Sequence, residues 1–244
     1  MAKIIGKNAI ILVGGYQLSS LFSSYETRGP SVKSVDVTGF TDGCENYLPG
    51  ISTAEMTLNG YWDNAAGSLN DALKGLGTKN VSILPEGYIL GAPSLSMSAL
   101  QTTFNPGGNV GDAIQIGSIQ FLQSGATIPG ALSGWALQHG TITNTLTGTG
   151  YDDPSAGAVT AACAGVLHIW QACATDTYLV KIQHSTTLGS GYTDLITFTL
   201  NGSAIGSEAV TVASGTVNRY RRVIATRTGA AGNAFGFSVM FWHA

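Results

Sequence analysis

Charge is what this sequence has least of. Charged residues make up 10% of the 244-residue chain, where roughly a quarter is usual for a soluble domain. Hydrophobic types reach 44%, so the shortage does not indicate a disordered chain, which combines high charge with few apolar residues. A formal net charge of -3 argues against a protein that binds nucleic acid by neutralising phosphates. A surface so poor in charge is weakly protected against self-association, which points to a protein covered by copies of itself. Cysteine is also scarce: Cys44, Cys163 and Cys173 cannot all pair. Read as a metal set with His168, the last two would lie about 33 Å apart on one extended strand, too far to share an ion. Reduced structural thiols are expected.

Long apolar runs are missing too. Residues 9–13 are too short for the core of an export signal. The charge-free stretch 155–175 approaches a membrane span in length but contains Thr160, His168 and Gln171 among many Ala and Gly, so a buried strand with a flanking loop is expected. No G-x-S-x-G, phosphate-cradling G-x-x-x-x-G-K-[ST] or H-E-x-x-H pattern occurs, so the expectation is no enzyme, no cofactor and no metal.

What is present is strand patterning. The compact run Ile10, Ile11, Leu12, Val13 suits a strand entering a core, residues 31–37 and 53–62 alternate polar and apolar, and residues 94–102 set Leu95, Met97 and Ala99 against serines. Residues 19–25 form a Ser-rich aromatic stretch, and residues 38–52, with Gly39, Gly43, Pro49 and Gly50, read as a long loop carrying Phe40, Tyr47 and Leu48. Large apolar groups on a loop need a partner surface. Asp63 or Asn64 can cap a helix over residues 65–76 that packs through Leu69, Leu73 and Leu76 and stops at Gly75 or Gly77. Gly125, Pro129, Gly130 and Gly134 mark a break. The division is therefore residues 1–125, a linker 126–133, and a domain 134–244. Seven strand candidates beyond the break read as a β-sandwich. One inner face carries Ile196, Phe198 and Leu200, and another Phe235, Phe237, Val239 and Phe241. The first half holds six basic and nine acidic residues, and the second balances at five each.

The order of several short motifs carries a resemblance. Residues 7–16 (Lys-Asn-Ala-Ile-Ile-Leu-Val-Gly-Gly-Tyr), 35–40 (Val-Asp-Val-Thr-Gly-Phe), 47–50 (Tyr-Leu-Pro-Gly) and 56–63 (Met-Thr-Leu-Asn-Gly-Tyr-Trp-Asp) resemble the major tail, or tail tube, proteins of long-tailed bacteriophages. The second half resembles the accessory β-sandwiches of phage virion proteins at residues 180–185, 192–195 and 215–220. The resemblance implies a mainly β protein: a tail-tube-type β-sandwich or barrel with one short helix, then an outward-facing Ig-like or jelly-roll-like sandwich. It implies a virion structural protein of the tail, assembled in the host cytoplasm. Copies would form stacked, hexameric rings around a channel through which DNA passes without specific binding; the acidic excess of the first half adds the expectation that its acidic side chains dominate the wall.

On that reading the partners are further copies and other tail proteins at the tube ends. Contacts between subunits or rings fall to Leu21, Phe22, Tyr25, Arg28, Phe40, Tyr47, Leu48 and Pro49. The alternative is a capsid decoration or carbohydrate-binding adhesion module, in which Tyr192, Arg219 and Arg221 on the outer surface of the second domain would meet a host-surface polymer. The residues themselves also allow Arg219, Arg221 and Arg222 to be a plain solvated strand, and Asp152 and Asp153 a solvated turn. Removing the second half is expected to leave assembly of the first intact.

Overall fold

A computed structural model of the chain describes residues 8–39, 43–65, 67–124, 134–153, 159–230 and 232–243. The fold is mainly β, as the alternation predicts, with two sheets and one short helix. The linker 126–133 and Phe40 lie outside the described residues.

In the first half β1 (Ile10–Val13) and β2 (Tyr16–Gln17) form a hairpin in which Val13 pairs with Tyr16 across Gly14 and Gly15. Both glycines take positive φ, 59° and 99°, the requirement of the tight turns that match strand twist. β3 (Phe22–Asp36) and β4 (Tyr47–Tyr61) make a long antiparallel pair, followed by β5 (Gly77–Leu84), β6 (Pro93–Gln101), β7 (Asn105–Gly107) and β8 (Gln115–Gln123). Their inner faces build one core from Ile11, Met56, Leu58, Val81, Ile83, Met97, Ile119 and Phe121.

The helix is shorter than the leucine spacing predicts. α1 spans Leu69–Leu73, capped by Ser68, whose hydroxyl accepts from the Leu69 N–H. Asp63 instead accepts from the Ala65 N–H in a turn ahead of the helix. Leu69 and Leu73 are buried in the first core, but Leu76 is 62% exposed. The helix closes at Lys74, whose N–H donates to the Asn70 carbonyl, and Gly77 at positive φ then turns the chain into β5, so Leu76 falls between the two elements.

The second half contributes β9 (Gly134–Ile142), β10 (Leu146–Thr147), β11 (Tyr151–Asp152), β12 (Val159–Gln171), β13 (Thr177–Ser185), β14 (Thr193–Thr197), β15 (Gly206–Val217), β16 (Tyr220–Thr228) and β17 (Phe235–His243). β10, β16, β13 and β14 form a five-stranded sheet with β11 at its side. That sheet covers one face of β12 and β17 through Tyr178, Val180, Ile182, Ile196 and Phe198. Phe235 stacks between Tyr178 and Phe237 at centroid distances of 4.4 and 4.8 Å.

β12 and β17 are also buried on the other face, and this joins the halves. The remaining strands run as one twelve-stranded sheet whose main path is β15-β12-β17-β9-β6-β5-β1-β2. It crosses from one half to the other where Pro93 pairs with Trp135 and Ser94 with Gly134. Alternate residues of β12 and β17 divide between two cores: Cys163, Leu167, Phe237 and Val239 enter the sandwich, while Ala164, Val166 and Met240 meet Leu12, Leu84 and Ala136. A strand buried on both sides has no place for charge, which accounts for the uncharged stretch around Cys163. The second half is thus no separately tethered body; it shares a sheet and a core with the first.

One polar side chain lies inside this junction. His168 is fully buried; its Nδ1 accepts the Gly15 N–H (3.3 Å), so the ring proton sits on Nε2 and points at Ser82 Oγ (2.9 Å). Nearby, Asn80 donates to Ser207 Oγ at 3.2 Å. The chain approach is so close that a Cβ on Gly15 would collide with the Gly206 backbone. Burial holds the His168 pKa at about 3. Between pH 6.5 and 3 the unfolded chain therefore takes up a proton that the folded chain refuses. Stability falls as pH drops through that window, by about 1.4 kcal/mol per pH unit from this one group. Burial lowers the pKa of His139 and His184 as well, which adds the same sign. The expected result is a His168→Gln variant whose urea-unfolding free energy declines less steeply between pH 6 and 4, by one proton's worth of slope. An unchanged slope would contradict the assignment.

Candidate assembly surface

Among the described residues, the outer part of the β3–β4 pair is paired with no further strand. β8 supports β4 only from Glu55 to Tyr61. Beyond that point β3 and β4 continue alone, pairing Ser31 with Thr53, Val32 with Ser52, Val35 with Leu48 and Asp36 with Tyr47. Every described side chain from Ser31 to Gly39 and from Gly43 to Leu48 is exposed. The predicted loop 38–52 is therefore corrected in its second part, because residues from Tyr47 onward form strand. With residues 31–36 they make a projecting arm.

The sequence explains the irregularity at the base of the arm. Gly29, at φ 97°, lies where the register shifts between Arg28 and Ser31, the geometry of a bulge with glycine in the left-handed region. Pro30 follows at the same irregularity, where no ladder donor is needed. The outer end is held by short polar contacts: Thr38 N–H and Oγ1 both donate to Asp36 Oδ1, at 2.9 and 2.5 Å. The Asn46 N–H donates to Thr38 Oγ1 (2.9 Å), the Val37 N–H to the Asn46 carbonyl (2.9 Å), and Tyr47 OH to Glu45 (2.7 Å). The Thr38 donors lower the Asp36 pKa, so this carboxylate stays ionised.

Apolar groups nevertheless dominate one face. Val35 and Leu48 stand directly opposite each other and so share a side of the ladder; they are 49% and 56% exposed, with Val32, Val37 and Tyr47 also open. A two-stranded ribbon is at best marginally stable in water on its own, and both of its outer edges present unpaired backbone groups.

The predicted contact residues are distributed along this element. Tyr47 and Leu48 lie on the arm and are exposed. Pro49 is in β4 opposite Ser34. Arg28 sits at the arm's base, exposed and paired with Glu26 at 2.9 Å, which raises its pKa. Leu21, Phe22 and Tyr25 are half-buried against the first half's own core, so they anchor the base rather than stand free.

The expected outer surface of the second half changes more. Arg221 is fully buried, which removes it from any outward-facing site. Its Nη2 donates to Asp153 at 2.8 Å, its guanidinium lies 4.9 and 5.4 Å from the Phe241 and Trp135 ring centroids, and His243 Nε2 reaches the same carboxylate at 3.2 Å. Asp153 is correspondingly buried and forms no solvated turn. Alternation in β16 carries the signal: Arg221 shares its face with the buried Val223 and Ala225. Arg219 stays exposed and is engaged by Asp152 in a two-point contact of 2.5 and 3.0 Å. One face of Tyr192 is covered by Arg222, 4.0 Å from the ring centroid, and its buried hydroxyl has no hydrogen-bond partner among the described residues. Cys163 and Cys173 are buried free thiols and Cys44 is exposed. Among the described residues no group of three potential metal ligands converges, and no helix is long and apolar enough to cross a membrane.

No protein-family model matches the chain, and no curated protein matches it. Among solved structures it is similar to the Dit protein of SPP1, described as a paradigm of the hub adsorption apparatus in phages infecting Gram-positive hosts. The identity is 9%, over 97% of this chain and 99% of that one, with a TM-score of 0.39. A likeness that loose carries no argument about function.

Proposed function

We propose that the protein is a structural component of a phage virion, a tail subunit whose copies associate through the β3–β4 arm into rings that stack as a tube. The observation that carries this reading is the arm itself, a projecting ribbon with open edges and the exposed apolar pair Val35 and Leu48. The motif order described above supplies the tail-tube context, and the low charge suits a subunit covered by its neighbours. Ribbons joined edge to edge around a ring leave no free strand edge, so backbone hydrogen bonds add to side-chain contacts.

In this arrangement the acidic groups of the first half, including Glu26, Asp36, Glu45 and Glu55 on or beside the arm strands, keep the channel wall negative. DNA passing it is repelled rather than bound, over a screening distance of about 8–10 Å at physiological salt. Negative-stain electron microscopy of the purified protein is expected to show rings or short tubes with a central channel. Fields of single particles at concentrations well above micromolar would overturn the proposal.

A further inference from the structure

The hydroxyl face of β6 plays no part in the assembly proposed above. Ser94, Ser96 and Ser98 alternate with Leu95, Met97 and Ala99, which belong to the first core, so the serines share the opposite face of the sheet. On the neighbouring strand β5, Asn80 pairs with Ser98 and Ser82 with Ser96. The second half covers this polar face in part: Ser207 of β15 accepts the Asn80 amide, and His168 of β12 reaches Ser82. At Asn80 and Ser98 the face opens into a cleft that both halves line.

The cleft consists of two hollows that share Tyr16 as a wall. One, of about 440 Å³, is lined by Asp71, Thr78, Lys79, Asn80, Ser98 and Ser207. The other, of about 320 Å³, carries Gln17, Ser19, Ser20 and Trp170. Both volumes fall within the range of about 300–1,000 Å³ usual for small-molecule sites. The two aromatic rings are held in place by the fold. Tyr16 packs against the first core, and Trp170 lies so close to β17 that a Cβ on Gly236 would meet it at 2.6 Å.

The lining decides the class of ligand. Asp71 already accepts from Lys74 and the Gly67 N–H, and Lys79 donates to the Gly75 carbonyl, so a charged ligand finds no free counter-charge. A wholly apolar ligand would strip water from hydroxyls and amides without replacing it. An added peptide strand needs a long open edge, but β1 covers β5 from Val81 onward and the Gly14 N–H takes the Asn80 carbonyl. What the cleft offers is neutral hydrogen-bonding capacity: the side chains of Gln17, Ser20, Thr78 and Ser98 bond to no other described residue. A pyranose sugar has the matching form, because its apolar C–H faces pack on aromatic rings while its rim is hydroxyl.

We propose that this cleft binds a neutral oligosaccharide, with one sugar ring in each hollow and Tyr16 between them. The site is separate from Tyr192, Arg219 and Arg221, and it does not depend on self-association. Its walls come from both halves, so the shared sheet that joins them also sets the spacing of Tyr16, Trp170 and Ser207.

The test is titration of the full chain with four neutral disaccharides, maltose, cellobiose, lactose and N,N′-diacetylchitobiose, followed by saturation-transfer NMR. At least one is expected to bind saturably. Tyr16→Leu, which keeps an apolar side chain against the core, should weaken that binding about tenfold. Gln17→Ala combined with Thr78→Ala, both at exposed positions, removes one hydrogen-bonding group from each hollow and should also cost about tenfold. Thermal melts that match the parent show that the fold is kept. The inference is overturned if none of the four binds, if the Gln17→Ala/Thr78→Ala protein binds as the parent does, or if binding is confined to N-acetylneuraminic acid, run alongside as an anionic control.

Discussion

A chain cut after residue 133 is expected to lose its cooperative unfolding transition and to aggregate. The reason lies in the junction. Leu12 and Leu84 are completely buried against Ala136, Ala164, Val166 and Met240, and the cut exposes both. Each fully buried leucine accounts for about 1.5–3 kcal/mol, and a domain holds only about 5–15 kcal/mol in total. The same cut takes away the strand that pairs with Pro93 and Ser94 and leaves Ser82 and the Gly15 N–H without His168. Urea unfolding followed by tryptophan fluorescence checks this. A fragment 1–133 that melts cooperatively near the parent midpoint would show that the first half stands alone. The expected loss of the transition replaces the expectation of a dispensable second half, drawn from the Gly and Pro cluster around residue 130.

The reasons for that replacement show how far the sequence is informative. Alternation in Phe235, Phe237, Val239 and Phe241 marks a strand facing the sandwich core, and those residues are buried there. The intervening Gly236, Ser238 and Met240 look neutral in sequence, yet they are buried too, because that side meets positions distant in the chain: Gly236 lies against Trp170, Ser238 bonds His139, and Met240 packs with Leu12 and Leu84. Double-sided burial was signalled by the absence of charge around Cys163, but its consequence, fusion of the halves, depends on pairings between Ser94 and Gly134 that local pattern does not encode. The arm presents the opposite difficulty. Gly39, Gly43, Pro49 and Gly50 suggest a loop, and the strand beyond Tyr47 survives them because it is a two-stranded ribbon with register shifts rather than a packed strand. Leu76 follows the leucine spacing but falls after the helix has ended. The Arg221–Asp153 pair joins positions 68 residues apart, so only the face Arg221 shares with Val223 and Ala225 hinted at its burial.

The second large effect concerns the arm. Because Ser31 and Thr53 stand opposite each other, with their hydroxyls 3.1 Å apart, residues 32–52 can be removed and the ends joined by Asn-Gly, which closes a two-residue hairpin. None of the described residues removed contributes to a core. The shortened chain should therefore fold as before, with a melting temperature within a few degrees of the parent, as befits a change of under about 1 kcal/mol. Its association should be abolished, since Val35, Leu48 and the open strand edges leave together.

Sedimentation velocity of the intact and arm-shortened chains, over a hundredfold range of concentration, tests the central claim most directly. The account predicts a multi-subunit species for the intact chain and a monomer throughout for the shortened one, both equally folded. An intact chain that stays monomeric, or a shortened chain that associates just as strongly, would contradict it.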